Sequence, residues 1–237
     1  MLCRIADLFV EVPEAGGLAP RCQDYRWEGK PDDEVIVIRE DLYEQQWWKS
    51  LSYENMCYME SGYQFNSSLI SHGGLKLHAS AVAWNGRAYL FSASSGTGKS
   101  THRQMWQQLY GEKNIIAFND DKPALRFFEG KWYAYGTPWC GKEGINLNVK
   151  APLAGICFLA QAQENRIRRL SPMEIIPRIV DQTNWHQRTQ NEMMNLLDNI
   201  SNLIQKIPVF LLECTPTTDA AKLSSETMSK AADEAGL

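Results

Sequence analysis

Ala93-Ser-Ser-Gly-Thr-Gly-Lys-Ser-Thr101 is the stretch on which the reading of this chain turns. Ala93, Gly98, Lys99 and Ser100 meet the pattern [AG]-x-x-x-x-G-K-[ST]. That pattern has a physical rationale. Glycines at 96 and 98 let backbone N–H groups approach phosphate oxygens without a Cβ in the way. A helix opening at Lys99 turns the positive end of its dipole toward the anion. The Lys99 ammonium then reaches the β/γ-phosphates and the Ser100 hydroxyl reaches Mg²⁺. The candidate nucleotide contacts are therefore Ser94, Ser95, Gly96, Thr97, Gly98, Lys99, Ser100 and Thr101, with ATP and Mg²⁺ as the cofactors. A surface Gly/Ser loop would not need a strand before it and a helix after it, and both are predicted here.

Upstream, His78-Ala-Ser-Ala-Val-Ala-Trp84 and Arg87-Ala-Tyr-Leu-Phe-Ser92 flank Asn85-Gly86. Asn-Gly between apolar runs is the strongest short-range hairpin signal, since both residues tolerate positive φ. Pairing across that turn sets His78 level with Ala93. Position alone leaves His78 open between a hydrogen-bonded strand-end residue and a site residue tunable near neutral pH. Downstream, Met105, Trp106, Leu109 and Tyr110 recur at helical spacing, and Gly111 closes the helix. Asn114–Asn119 reads as a buried strand running into Asp120-Asp121. Adjacent residues on a strand point to opposite sides. One of the carboxylates of Asp120 and Asp121 can face a metal while the other takes a different role, such as accepting a hydroxyl proton, and position alone leaves open which does which.

Farther along, Ala124–Phe128 and Lys131–Tyr135 form a second hairpin across Glu129-Gly130. Gly136–Lys142 is a Gly/Pro turn that makes Lys142 a candidate phosphate or acceptor contact, although a solvated charge is the more ordinary reading. The same holds for Arg166, Arg168 and Arg169. Leu153–Ala160 is an apolar strand, Ser171-Pro-Met-Glu174 a capping box that starts a helix, Met193–Ile204 an amphipathic helix, Val209–Glu213 a strand and Thr217–Ala235 a final helix. Before the loop, Leu2–Val10 is mixed apolar, Pro13-Glu-Ala-Gly-Gly breaks it, Glu34–Ile38 and Met56–Met59 read as strands, and Ser67–Ser71 as a short turn or helix. His72, His102 and His186 stand in ordinary surroundings.

The 237 residues suit one domain, with a β-rich portion over 1–70 and the loop-bearing core over 71–237. Strand–helix alternation predicts an α/β fold, and the hairpins make its sheet mixed. Hydrophobic residues are 44% and charged residues 22%, a globular balance. No apolar run nears the roughly 20 residues that cross a bilayer, and the mean hydropathy is -0.38. The net charge of -4 gives no electrostatic case for nucleic acid, so the aromatic content, including Trp47-Trp48, reads as packing. Cys3, Cys22, Cys57, Cys140, Cys157 and Cys214 form no C-x-x-C pair, which argues against structural zinc. The start, Met-Leu-Cys-Arg-Ile-Ala-Asp, carries a charge within its short apolar stretch. No cleavable leader is expected, and free thiols in a reducing cytoplasm are.

Three segments together, His78-Ala-Ser-Ala-Val, Ser95-Gly-Thr-Gly-Lys-Ser-Thr101 and Asn119-Asp-Asp121, resemble the HPr kinase/phosphorylase family and the related phosphoenolpyruvate carboxykinases, whose phosphate loop follows a β-hairpin. The resemblance runs from His78 to Asp121. It implies a kinase-like phosphate-loop domain in which Lys99 holds the transferring phosphoryl group, Ser100 the metal, Asp121 acts as general base, Asp120 as metal or water ligand, and His78 as partner of the acid and phosphate. Thr101 stands where that family carries Glu, and Ala134–Trp139 lacks its Glu-x-Arg-Gly-Leu-Gly segment. The chain looks more like small HPr-kinase-like proteins that phosphorylate a serine on a peptide or small acceptor. The expectation is an ATP-dependent kinase acting on a hydroxyl of a peptide, protein or small molecule. The alternatives are a nucleotide-binding sensor or partner module without transfer, and a structural domain whose loop binds nothing.

Overall fold

Asn85 and Gly86 take φ values of 50° and 76° and turn the hairpin of β5 (Ala79–Trp84) and β6 (Arg87–Ser92), in which Ala79 faces Ser92. The computed structural model describes all residues except 15–16, 43–50 and 184–188. Trp47, Trp48 and His186 lie outside the described residues, and the break at Pro13–Gly17 lies partly outside them.

The hairpin joins a nine-stranded mixed sheet. β10 (Lys150–Gln161) is its pivot. Lys150–Pro152 pair antiparallel with β9 (Lys131–Tyr135). Farther on, β10 runs parallel to β6 on one side and to β12 (Val209–Cys214) on the other. The exchange of partners along one strand, with a register shift between Leu153 and Gly155, curls the sheet. β9 continues through β8 (Ala124–Phe128) to β4 (Gly74–Lys76), and β5 continues to β7 (Ile116–Asn119). β11 (Arg166–Arg169) pairs antiparallel with β12 at the edge. That edge lies three strands from β6. Arg166 pairs with Glu164 and Arg168 with Glu174 at that edge.

Period-two alternation distributes the central strands over two cores. Ala88, Leu90, Ile156 and Phe158 pack with Ile175 and Ile179 of α3 (Pro172–Gln182) and Leu196 and Ile200 of α4 (Gln190–Lys206). Tyr89, Phe91 and Cys157 face the other way, against Trp106 of α2 (Lys99–Tyr110) and Met228 of α5 (Thr218–Glu234). Burial on both faces is why these strands read as continuous apolar runs. The capping box at Ser171 and Glu174 forms.

The N-terminal portion departs from a β-rich reading. β1 (Leu2–Ile5), β2 (Leu8–Glu11) and β3 (Val35–Val37) form a three-stranded sheet, and a 3-10 turn covers Ala19–Tyr25. Met56–Met59, expected as a strand, lies inside α1 (Tyr53–Ser71), a helix of 19 residues, and Ser67–Ser71 is its last turn. The reason is legible afterwards. Buried Cys57, Ser61, Phe65 and Leu69 recur every four residues, but Ser61 is polar and Glu60, Gly62 and Asn66 are buried with them, so the inner face is too polar to stand out as an apolar stripe. Phe65 and Leu69 close a third core with Val10, Tyr25 and Trp139.

Candidate functional site

The loop between β6 and α2 is held open by two glycines. Gly96 has φ 79° and Gly98, the residue capping α2, has φ 117°. A Cβ at either position would meet nothing within 4 Å, so glycine is required there by backbone conformation and not by crowding. Among the described residues, only the Thr97 amide of this loop is taken by the protein, at 3.3 Å from the Ser94 carbonyl. The amides of Ser95, Gly96, Gly98, Lys99, Ser100 and Thr101 donate to no described group. Ser94, Ser95 and Gly96 are exposed, whereas Thr97, Gly98, Ser100 and Thr101 are half-buried. Lys99 is buried and folds back, its Nζ donating to the Ala93 carbonyl at 2.8 Å and the Ser94 carbonyl at 3.3 Å. Burial lowers its pKa, and nearby Asp121 opposes that.

Asp121 is the hub beside this loop. Its Oδ1 lies 3.4 Å from His78 Nε2 and 3.5 Å from Lys122 Nζ, and its Oδ2 accepts from the Tyr58 hydroxyl at 3.0 Å. His78 Nδ1 lies 3.1 Å from Gln182 Oε1. Burial, then the ammonium groups of Lys122 and Lys99, push the imidazole down to about 4 against the pull of Asp121. The ring is therefore neutral at physiological pH. Its one proton belongs on Nδ1, where Gln182 Oε1 accepts it, which leaves the Nε2 lone pair facing the Asp121 carboxylate.

The acid pair splits to two sets of partners, and Asp120 holds two backbone amides. Its Oδ1 accepts from the Gly141 amide at 2.6 Å and its Oδ2 from the Glu143 amide at 3.0 Å. Asp120 thus anchors the 141–143 turn, and only its remaining lone pairs could face a metal. Burial raises its pKa, against those two amides. Asn119 organises the rest. Its Oδ1 accepts from the amides of Asp121 and Lys122, while Nδ2 donates to the carbonyls of Thr137 and Trp139. Trp139 stacks on Phe65 with ring centroids 4.7 Å apart and donates to Ser61. Gly136 has no room for a side chain, since a Cβ would lie 1.8 Å from the Leu147 carbonyl. These contacts fasten the turn that carries exposed Lys142.

Tyr58, Lys122 and Gln182 are site residues that sequence reasoning missed. Lys122 directly follows the acid pair and could have been flagged; Tyr58 and Gln182 come from α1 and the end of α3, remote in sequence. His102, read as ordinary, is buried, hydrogen-bonded to Ser224 and packed on Phe91. His72 sits at the end of α1 on the Ser68 carbonyl.

Two clefts meet the site. One of about 950 Å³ runs along Gly96, Thr97, Gly98 and Thr101 to Gln161 and Thr215, with no Asp, Glu, Lys or Arg in its lining. The other, about 300 Å³, opens on Asp121 between Arg21, Glu54, Tyr58 and Lys142. Among the described residues, no helix is long and apolar enough to cross a membrane.

A hairpin, a glycine loop and a helix on a curled mixed sheet define this as a mixed α/β protein. The chain belongs to the family described as SynChlorMet cassette protein ScmC, whose match spans residues 49–219. No curated protein matches. Among solved structures, the chain is similar to the Hpr(Ser) kinase/phosphatase from Coxiella burnetii at 12% identity and a TM-score of 0.37, covering 65% of this chain and 88% of that one.

Proposed function

We propose that this protein is an ATP- and Mg²⁺-dependent kinase that transfers the γ-phosphoryl group to a hydroxyl, serine first among acceptors, on a peptide, protein or small molecule. One observation carries the reading: the glycine loop with undonated amides adjoins a carboxylate, Asp121, flanked by a neutral imidazole and two ammonium groups.

The loop amides and Lys99 bind the polyphosphate, and Lys99 leaves the Ala93 and Ser94 carbonyls to do so. The uncharged cleft along the loop suits a nucleoside, which brings no net charge of its own. Ser100 and the remaining lone pairs of Asp120 are hard oxygen donors that fit Mg²⁺, which needs few protein ligands beside phosphate and water. When bound, Mg²⁺ neutralises charge on the phosphate oxygens. Asp121 accepts the hydroxyl proton as the acceptor oxygen bonds to phosphorus, and the nucleoside diphosphate leaves. The captured proton then has a second acceptor in the His78 Nε2 lone pair, and Tyr58 holds the other carboxylate oxygen in place. Such a reaction draws on cytoplasmic ATP.

The test is a labelled-ATP assay with candidate serine acceptors, beside calorimetry with Mg²⁺–ATP. Asp121→Asn should lower transfer by at least about 10²–10³ with nucleotide affinity kept; full activity in that variant removes Asp121 as the base. A second reading, nucleotide binding without transfer, is favoured by one fact, the commitment of both Asp120 oxygens to backbone amides. Binding of ATP with no phosphorylated product and no ADP would select it.

A further inference from the structure

We propose that the cleft over Asp121 is the acceptor site and that it selects a hydroxyl compound carrying a carboxylate close to the hydroxyl. The proposal rests on the kinase reading and adds the class of acceptor. The cleft, about 300 Å³, has room for a single residue-sized group. Asp121 lies in it, so a hydroxyl entering here meets the base. Tyr58 forms one wall. Its hydroxyl lies 3.0 Å from both Asp121 Oδ2 and the Cys140 carbonyl, which keeps the ring upright beside the carboxylate.

Arg21 covers that ring, its guanidinium 5.1 Å from the Tyr58 centroid, and Nη1 donates to the Cys140 carbonyl at 3.3 Å. Stacking and hydrogen bonds to the carbonyl and Sγ of Cys140 orient the guanidinium without neutralising it. Among the described residues no acid pairs with Arg21 or Lys142 within ion-pair distance. A planar, oriented guanidinium is suited to a carboxylate, and Lys142 adds a second positive charge on the same rim. Glu54, also on the rim, repels an anion from its own side and so sets which way round the acceptor enters. The N-terminal 3-10 turn and α1 thereby become parts of the acceptor site and not only packing.

N-acetylserine and its amide present the same hydroxyl with and without a carboxylate. Each is offered with Mg²⁺–ATP and followed by ³¹P NMR, and each is titrated alone by calorimetry at millimolar concentration. The acid should be preferred about tenfold in kcat/KM or in affinity. Arg21→Gln should erase the preference while Mg²⁺–ATP affinity stays unchanged, and Arg21→Lys should retain part of it, with circular dichroism confirming the fold of each variant. Equal use of acid and amide, or preference for the amide, overturns the acceptor class and leaves the kinase reading standing. Selective binding of the acid without transfer supports the cleft assignment and counts against the kinase. Binding of neither probe overturns the proposal, as does an Arg21→Gln variant that loses ATP affinity but keeps the acid preference. The Mg²⁺–ATP titration reports separately on the phosphate cradle.

Discussion

Lys99 is buried on two loop carbonyls, a position it can leave only for a stronger partner. Its replacement by Ala should therefore abolish Mg²⁺–ATP binding in calorimetry and lower transfer by about 10²–10³, with an unchanged far-UV spectrum. Asn119 makes the opposite kind of contribution. It is fully buried, and its side chain serves two amides and two carbonyls. Asn119→Ala would strand those groups and should cost about 2–4 kcal/mol, read as a lower urea midpoint, and displace Asp121. Some of this was legible. Lys99 and Ser100 stand in a motif whose spacing is set by the loop itself, and Asp121 follows a run that reads as a buried strand. The two amides that Asp120 holds were not legible, because alternation says which side a side chain takes and nothing about which amides wait there. Tyr58 and Gln182 left no trace in the local sequence, since their partners are 63 and 104 residues away.

Among the elements, the hairpin and the glycine loop were readable because their turns demand positive φ, which few residues accept. Gly86 and Gly98 both sit there, at 76° and 117°, with no neighbour a methyl would strike. Replacing either with Ala should cost about 1–2 kcal/mol of stability. Only Gly98→Ala should also weaken Mg²⁺–ATP binding, because only that turn presents amides to a ligand; paired denaturation and calorimetry check both halves. α1 shows the converse. A four-residue window around Met56 fits a strand as well as a helix, and the helix is decided by packing of Phe65 and Leu69 against the N-terminal core. β11 was missed for a similar reason, since its run of arginines pairs only as an edge strand on β12.

In the whole molecule, burial holds His78 and His102 neutral, each pushed down to about 4. The unfolded chain protonates both near 6.5, so between about pH 6.5 and 4 it binds more protons than the folded one. Stability should then fall as pH drops through that window, by on the order of 2 kcal/mol per histidine. Urea midpoints measured from pH 7 to 4.5 check this, and His102→Gln should flatten the curve. Mg²⁺–ATP at about 100 times its Kd should raise stability by about 2.7 kcal/mol, seen as a thermal shift that Lys99→Ala lacks.

Local chain chemistry was sufficient for the hairpin, the loop and most helices and strands, because φ preference, caps and periodicity act over a few neighbouring residues. The partners of Asp121, the anchoring of Asp120 and the cleft beneath Arg21 needed the folded chain. Together they draw on α1, the residues after β7, the 140–143 turn and the 3-10 turn that carries Arg21, and no local rule of sequence encodes a meeting across such distances; burial and hydrogen-bond satisfaction in three dimensions choose it.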